Sequence, residues 1–151
     1  MQIWVDADAC PRAVREILFK AAARTGVAVT LVANAPVQVP ASRRVRAVQV
    51  PGGFDVADDY IAARAAAGDL VVTADVPLAA QVIAAGAVVI EPRGELLDAG
   101  NIGERASVRD FMHTLRGAGQ AIGGPPPLST RDRQRFANAL DRLLAQRPDR
   151  G

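Results

Sequence analysis

Apolar and polar positions alternate in blocks along this chain, not residue by residue. Short apolar runs recur at Ile3-Trp4-Val5, Val27 to Val32, Val45 to Val50, Leu70-Val71-Val72-Thr73 and Ala87 to Ile90. Each has the length of a buried strand. Between the first two, Val14, Ile17, Leu18, Ala21 and Ala22 recur at helical spacing, from Pro11 to a stop at Gly26. Proline at the first helical position forfeits no hydrogen bond, and glycine past the last takes the left-handed conformation. Asn34-Ala35-Pro36 predicts a loop reaching Arg44, and Pro51-Gly52-Gly53 closes the third strand. An alanine-rich helix is expected from a cap at Asp55 to about Ala67, stopping at Gly68. Asp75 and Pro77 open another, which Gly86 ends. Strands apolar throughout and alternating with helices predict an α/β fold in three layers. A mostly parallel central sheet of about five strands would carry helices on both faces.

The pattern changes after Pro92-Arg93-Gly94. Val108, Phe111, Met112 and Leu115 predict one helix, and Gly117 to Pro127 reads as loop. Ser129 then caps a final helix with an apolar face of Phe136, Ala139, Leu140, Leu143 and Leu144, fraying from Gln146. At 151 residues one domain is expected, with an α/β body over 1–92 and a C-terminal helical extension over 105–146 packed on it.

Composition narrows the class. Half the residues are apolar and 23% are charged, which excludes wholesale disorder. No apolar run approaches the roughly 20 residues of a membrane span. The opening Met-Gln-Ile-Trp-Val-Asp lacks the basic start of an export signal, so a cytoplasmic location without a membrane partner is expected. A single cysteine, Cys10, excludes an internal disulfide and a Cys-rich zinc site.

The acidic residues are placed unevenly. Asp6 and Asp8 follow the first strand, Asp75 follows the Leu70–Thr73 strand, and Asp55, Asp58 and Asp59 open the helix after Gly52-Gly53. Parallel topology brings all these positions to the carboxyl rim of the sheet, where α/β folds bind ligands. Converging carboxylates repel one another unless a cation lies between them, and an all-oxygen donor set suits Mg²⁺ or Mn²⁺. A plain structural role competes: Asp55 and Asp75 as N-caps, Asp58 in a capping box, Asp59 favouring the helix dipole. Asp6 and Asp8 exceed what capping requires.

Other chemistry is weaker. Cys10 at a helix start has the setting of a low-pKa thiol, but two neighbouring acids oppose this, and a small, partly buried helix-entry residue is the simpler reading. His113 falls mid-helix between Met112 and Thr114, with nothing to place it near the acidic rim. Gly117-Ala118-Gly119 follows a helix, not the strand a dinucleotide fingerprint needs. No Walker A sequence exists, since Lys20, the one lysine, lies inside a helix pattern.

The net charge of +2 conceals segregation. Residues 1–100 hold nine basic and eleven acidic side chains, whereas residues 101–151 hold nine and five. Arg105, Arg109 and Arg116 form one stripe and Arg131, Arg135 and Arg142 another. Such stripes are either solvated helix faces or a surface that tracks phosphates beside the acids. With aromatics at 4%, base stacking of the kind RNA-recognition modules use is disfavoured.

Val5-Asp6-Ala7-Asp8-Ala9-Cys10-Pro11, Gly53-Phe54-Asp55-Val56-Ala57-Asp58-Asp59 and Gly68-Asp69-Leu70-Val71-Val72-Thr73-Ala74-Asp75 with Pro77-Leu78-Ala79 resemble the YaiI/YqxD family. Pro92-Arg93-Gly94, Asn101-Ile102, Gly123-Gly124-Pro125, Asp132-Arg133 and Phe136 extend the likeness over nearly the whole chain. That family is itself uncharacterised and is similar to PIN-like domains, a Rossmann-like α/β class. Many of those are Mg²⁺- or Mn²⁺-dependent ribonucleases. The resemblance therefore implies metal-holding roles for Asp6, Asp75 and the Asp58/Asp59 pair, with Asp8 beside them and Asn34 as a further candidate. Phosphodiester hydrolysis of RNA is the leading expectation, and it rests on fold-level analogy. A module that binds nucleic acid or a metal-nucleotide without cleaving it would use the same residues. A haloacid-dehalogenase-type phosphatase also opens on Asp-x-Asp, but it needs a later lysine than Lys20.

Overall fold

The computed structural model describes residues 1–53, 55–107 and 127–146. The helix expected around Val108–Leu115, His113, Arg109, Arg116 and the Gly117–Gly119 motif lie outside the described residues.

The apolar runs become strands β1 (Gln2–Asp6), β2 (Ala28–Ala33), β3 (Val45–Gln49), β4 (Leu70–Val72) and β5 (Val88–Ile90). These pair in parallel, in the spatial order β3-β2-β1-β4-β5. A sixth strand, β6 (Leu96–Leu97), pairs antiparallel with β5. Two residues are too short a run to show periodicity. Tertiary structure creates β6 through a tight turn, in which Gly94 N–H donates to Glu91 O (2.8 Å) and Glu91 N–H to Glu95 O (2.8 Å).

Helices α1 (Arg12–Thr25), α2 (Val56–Arg64) and α3 (Val76–Ala84) follow β1, β3 and β4, and α4 (Thr130–Gln146) closes the described chain. Residues 102–107 are also helical. Gly26 ends α1 at φ 75°, the left-handed stop read from the sequence. Helix α2 stops three residues short of the expected Ala67. Asp69 takes over that turn: its carboxylate accepts Ala66 N–H (3.0 Å), Gln2 N–H (3.1 Å) and the indole N–H of Trp4 (3.1 Å). Ser129 caps α4 as expected, and reciprocal bonds with Asp132, both 3.0 Å, form a capping box.

Two cores sandwich the sheet. Ile3, Val5, Val29, Leu31, Val72 and Ile90 face α1 and α4, meeting Leu18, Phe136 and Leu140. Trp4, Val32, Val71 and Val89 face α2 and α3, meeting Ile61, Leu78 and Val82. This alternation follows from the two-residue period of a strand. No helix packs between β2 and β3. Instead Val37 and Val39 of the connecting loop lie on the α1 side of the core.

Helix α4 runs against the strand direction. Its start lies at the carboxyl rim, where Gly94 approaches the backbone of Arg135 and Phe136 and Arg93 pairs with Asp132 at 2.6 Å. Its end lies at the opposite rim, where Leu143 and Gln146 line a cavity with Met1 and Asp69. Among the described residues, no helix is long and apolar enough to cross a membrane.

Candidate functional site

The strand order reverses direction between β1 and β4, and at such a switch point the loops leaving adjacent strands part to open a crevice. There the structure forms a cleft of about 410 Å³ lined by Asp6, Asp8, Asn34, Asp55, Asp58 and Asp75, with Ala9, Gly53, Ala57 and Ala74. Five carboxylates share it, and among the described residues no Lys or Arg lines it.

Register explains the centre. Val5 pairs with Val72, so the next residues, Asp6 and Thr73, emerge side by side at the carboxyl rim. Both continue the strand positions of Trp4 and Val71, whose side chains face α2 and α3. Asp6 is 7% exposed, and its Oδ2 accepts the Thr73 hydroxyl at 3.0 Å. The same hydroxyl oxygen accepts Asp75 N–H at 3.0 Å, tying the two strand-end acids together. Thr73 is the residue sequence reading missed as a site member. Its signal was position: it follows the last apolar residue of β4 and precedes Asp75 by two, on the side of the sheet that Asp6 occupies.

The acids differ in what they do. Asp75 is a cap as well as a cleft residue, since its Oδ1 accepts Leu78 N–H at 2.8 Å. Asp55 holds the N-cap position its place in the sequence suggests, but without a side-chain cap. It sits in the left-handed region at φ 65° and makes no side-chain cap bond, because Gly53 and Asp55 turn the chain sharply into α2. Its backbone carbonyl accepts Asp59 N–H at 2.8 Å, the first bond of the helix. Asp58 projects from the first turn of α2 into the cleft, whereas Asp59 beside it is exposed and does not line it. Asp8 is exposed on the 3-10 turn Ala7–Ala9, and its Oδ2 accepts the backbone N–H of Asn34 at 2.9 Å. That bond ties the loop after β1 to the loop after β2.

Burial, with electrostatic crowding behind it, raises two of these groups. Partial burial, then repulsion from Asp75, Asp6 and Asp55, together with a hydrogen bond to Asp55, pushes Asp58 up to about 7. Burial also raises Asp6, with Asp75 and Asp8 adding repulsion, against the opposing hydrogen bond from Thr73. The positive ends of α2 and α3 point at the cleft and offset part of this repulsion.

An all-carboxylate lining has the donor chemistry of a hard divalent ion. Among the described residues, however, no three His, Cys, Asp or Glu side chains are grouped closely enough to hold a metal by themselves. The lining therefore fits an ion held by one or two carboxylates and completed by water and ligand oxygens, as Mg²⁺ is commonly bound.

The remaining candidates fall elsewhere. Cys10 is buried, and burial pushes its thiol up to about 12, the reverse of an activated nucleophile. Arg105 is spoken for: it bonds Glu91 at 2.7 Å and Glu95 at 2.8 Å, fastening the helical segment at 102–107 to the β5–β6 turn. Arg131 and Arg135 are exposed at the start of α4, near the carboxyl rim. Arg142 is exposed too, but about 16 Å along the helix axis from Arg131, toward the opposite rim. The four described arginines thus do not form one surface beside the acids. Lys20 lies on α1 in a groove facing α4, away from the cleft.

Residues 4–146 match the family described as "Uncharacterized BCR, YaiI/YqxD family". The chain belongs to the YaiI/YqxD family. Relatives align end to end with it. A UPF0178 protein of Thioalkalivibrio sulfidiphilus is 63% identical over 147 residues, covering 97% of this chain and all of its own length. One of Halorhodospira halophila is 62% identical over 151 residues, with both chains fully covered. A third, from Shewanella amazonensis, is 57% identical over 148 residues, covering 98% of this chain and 99% of its own. No solved structure matches the chain significantly. Family membership thus fixes kinship, and the chemistry has to be argued from the cleft.

Proposed function

We propose that this YaiI/YqxD protein is a phosphodiester hydrolase that acts on RNA with Mg²⁺ or Mn²⁺. The observation that carries the reading is the gathering of Asp6, Asp58 and Asp75 in one cleft at the switch point, without a basic side chain among its described lining. Carboxylates that repel one another cost stability, and a bound cation removes that cost. Asp6 and Asp75 would hold the ion, with Asp58 on the opposing helix. When bound, the ion would supply neutralisation of phosphate charge and acidification of water. The chain's own residues do the rest. Thr73 fixes the Asp6 carboxylate and the start of α3 in one geometry. Asp58 lines the cleft beside them, placed to accept a proton from water or to add a ligand oxygen. The Asp8–Asn34 bond holds the outer wall.

The test is cleavage of single-stranded RNA with Mn²⁺ supplied or chelated. Metal-dependent cleavage that Asp6→Asn abolishes supports the reading; cleavage unaffected by chelator or by Asp6→Asn refutes it. The absence of a ready three-ligand cluster among the described residues favours a second reading, a module that binds nucleic acid without cutting it. RNA binding without turnover, unchanged by chelator, would identify that case. A phosphatase of the aspartyl-phosphate type gains no support, since Lys20 does not line the cleft.

A further inference from the structure

A second concavity adjoins the acidic cleft. It is a groove of about 520 Å³ between α1 and the loop joining β2 to β3, lined by Arg12, Arg15, Glu16 and Phe19 of the helix and by residues 36–40 of the loop. Its volume lies in the range of small-ligand sites, roughly 300–1,000 Å³. Ala9 and Asn34 line the cleft, while Arg12 and Pro36 line the groove, three and two residues further along the same two chain segments. The edges are therefore at most about 11 Å apart along the chain.

Its chemistry divides into two parts. Two arginines, Arg12 and Arg15, line it from the first turn of α1. Val37, Val39 and Phe19, with two prolines, form an apolar wall. Arg12 is exposed and, among the described residues, forms a surface pair with Glu16 at 3.3 Å. Arg15 is more deeply set, and its buried Nε finds no hydrogen-bond partner among the described residues. A buried donor left without an acceptor carries a desolvation cost that an incoming oxyanion would remove. An anionic head joined to a flat apolar body matches such a groove, and a nucleotide has that form. A duplex does not offer it, because its bases are stacked inside. An unpaired strand does.

From this we infer that the groove receives a nucleotide of a single-stranded nucleic acid next to the phosphodiester in the acidic cleft, its phosphate on Arg12 and Arg15 and its base on the Phe19–Val37–Val39 wall. The inference rests on the hydrolase reading for the role of the cleft, but its test does not require cleavage. It moves nucleic-acid contact from the C-terminal arginines to α1.

The experiment is fluorescence anisotropy of a labelled single-stranded RNA octamer with the full chain in EDTA, at several salt concentrations. Replacing Arg12 and Arg15 together by Gln should weaken binding about tenfold or more and flatten the logarithmic salt dependence by about 1.4, for two single-strand phosphate contacts. Glu16→Gln removes the one anion of the groove and should tighten binding about threefold, a gain that misfolding cannot mimic. Arg142→Gln, on the far rim, should change affinity less than twofold. An octaribonucleotide and its deoxy counterpart, compared directly, report whether the 2′-hydroxyl contributes; binding of either one that Arg12→Gln/Arg15→Gln weakens supports the groove. Wild-type chain that binds neither overturns the inference, as does unchanged affinity in Arg12→Gln/Arg15→Gln together with unchanged affinity in Glu16→Gln. Asp6→Asn separates the two proposals: lost cleavage with retained octamer binding supports both, whereas retained binding in a wild type that never cleaves sinks only the hydrolase reading.

Discussion

Asp58→Asn distinguishes a strained site carboxylate from a structural one. If Asp58 served α2 as a first-turn acid, its neutralisation would destabilise the protein by a few tenths of a kcal/mol. The geometry predicts the opposite. Folding brings Asp58 beside Asp75, Asp6 and Asp55 in a partly dry cleft and raises it from an ordinary 3.8 to about 7. A shift of that size corresponds to about 4 kcal/mol against the folded state when the group is charged. Asp58 is only partly buried, so water screens the repulsion and a net gain of about 1–2 kcal/mol is expected from Asn. In a chain of this length that is roughly 2–8 °C in Tm.

The sign with pH follows from the raised value. Asp58 imposes no penalty below 3.8, where both folded and unfolded forms are protonated. The penalty grows as pH rises and is complete above about 7. Urea melts of wild type and Asp58→Asn at pH 8, 6 and 4.5 should therefore converge as pH falls. Millimolar Mn²⁺ at pH 8 should raise wild-type stability and shrink the difference, since a ligand that binds only the folded state stabilises it by mass action. Equal stability at pH 8, or an Asn variant less stable there, would refute the claim that these acids are held together against their repulsion.

Three further outcomes test the framework. Thr73→Val keeps the shape of a buried side chain but strips Asp6 of a donor and Asp75 N–H of an acceptor, so it should cost about 1–3 kcal/mol in urea unfolding, with Thr73→Ser recovering most of it. Gly94→Ala should cost at least about 2 kcal/mol by thermal melt, because φ is +94° and the new methyl would lie 2.7 Å from the backbone of Arg135 and Phe136. Cys10, pushed up to about 12, should react with a thiol reagent at pH 8 at least ~100-fold more slowly in the native protein than in urea. A native thiol as fast as the unfolded one would contradict its placement.

The sheet was legible because its strands are buried on both faces. Five apolar runs separated by helical spacing leave few arrangements other than a parallel α/β layer, and Gly26 and Ser129 marked helix ends through local backbone chemistry that needs no distant partner, while Pro11 lies one residue ahead of α1, at its N-cap. Where a distant partner intervened, the local reading moved. Asp69 ended α2 early by bonding Gln2 and Trp4, more than sixty residues away, and β6 exists only because β5 offers it an edge.

The acids show the same division. Sequence alone determined that Asp6, Asp8, Asp55, Asp58 and Asp75 follow strands or open helices, and parallel topology puts those positions on one rim. It could not rank them, because orientation depends on register and on how each helix sits on the sheet. Tertiary structure decided that Asp58 and not Asp59 enters the cleft, that Thr73 joins Asp6 to Asp75, and that Asp55, at the N-cap of α2, makes no side-chain cap bond. It also committed Arg105 to Glu91 and Glu95 and set Arg142 toward the rim opposite the acids. Periodicity reports which face of an element is apolar. Which polar groups meet across elements is set by the packing of those faces, and that information resides only in three dimensions.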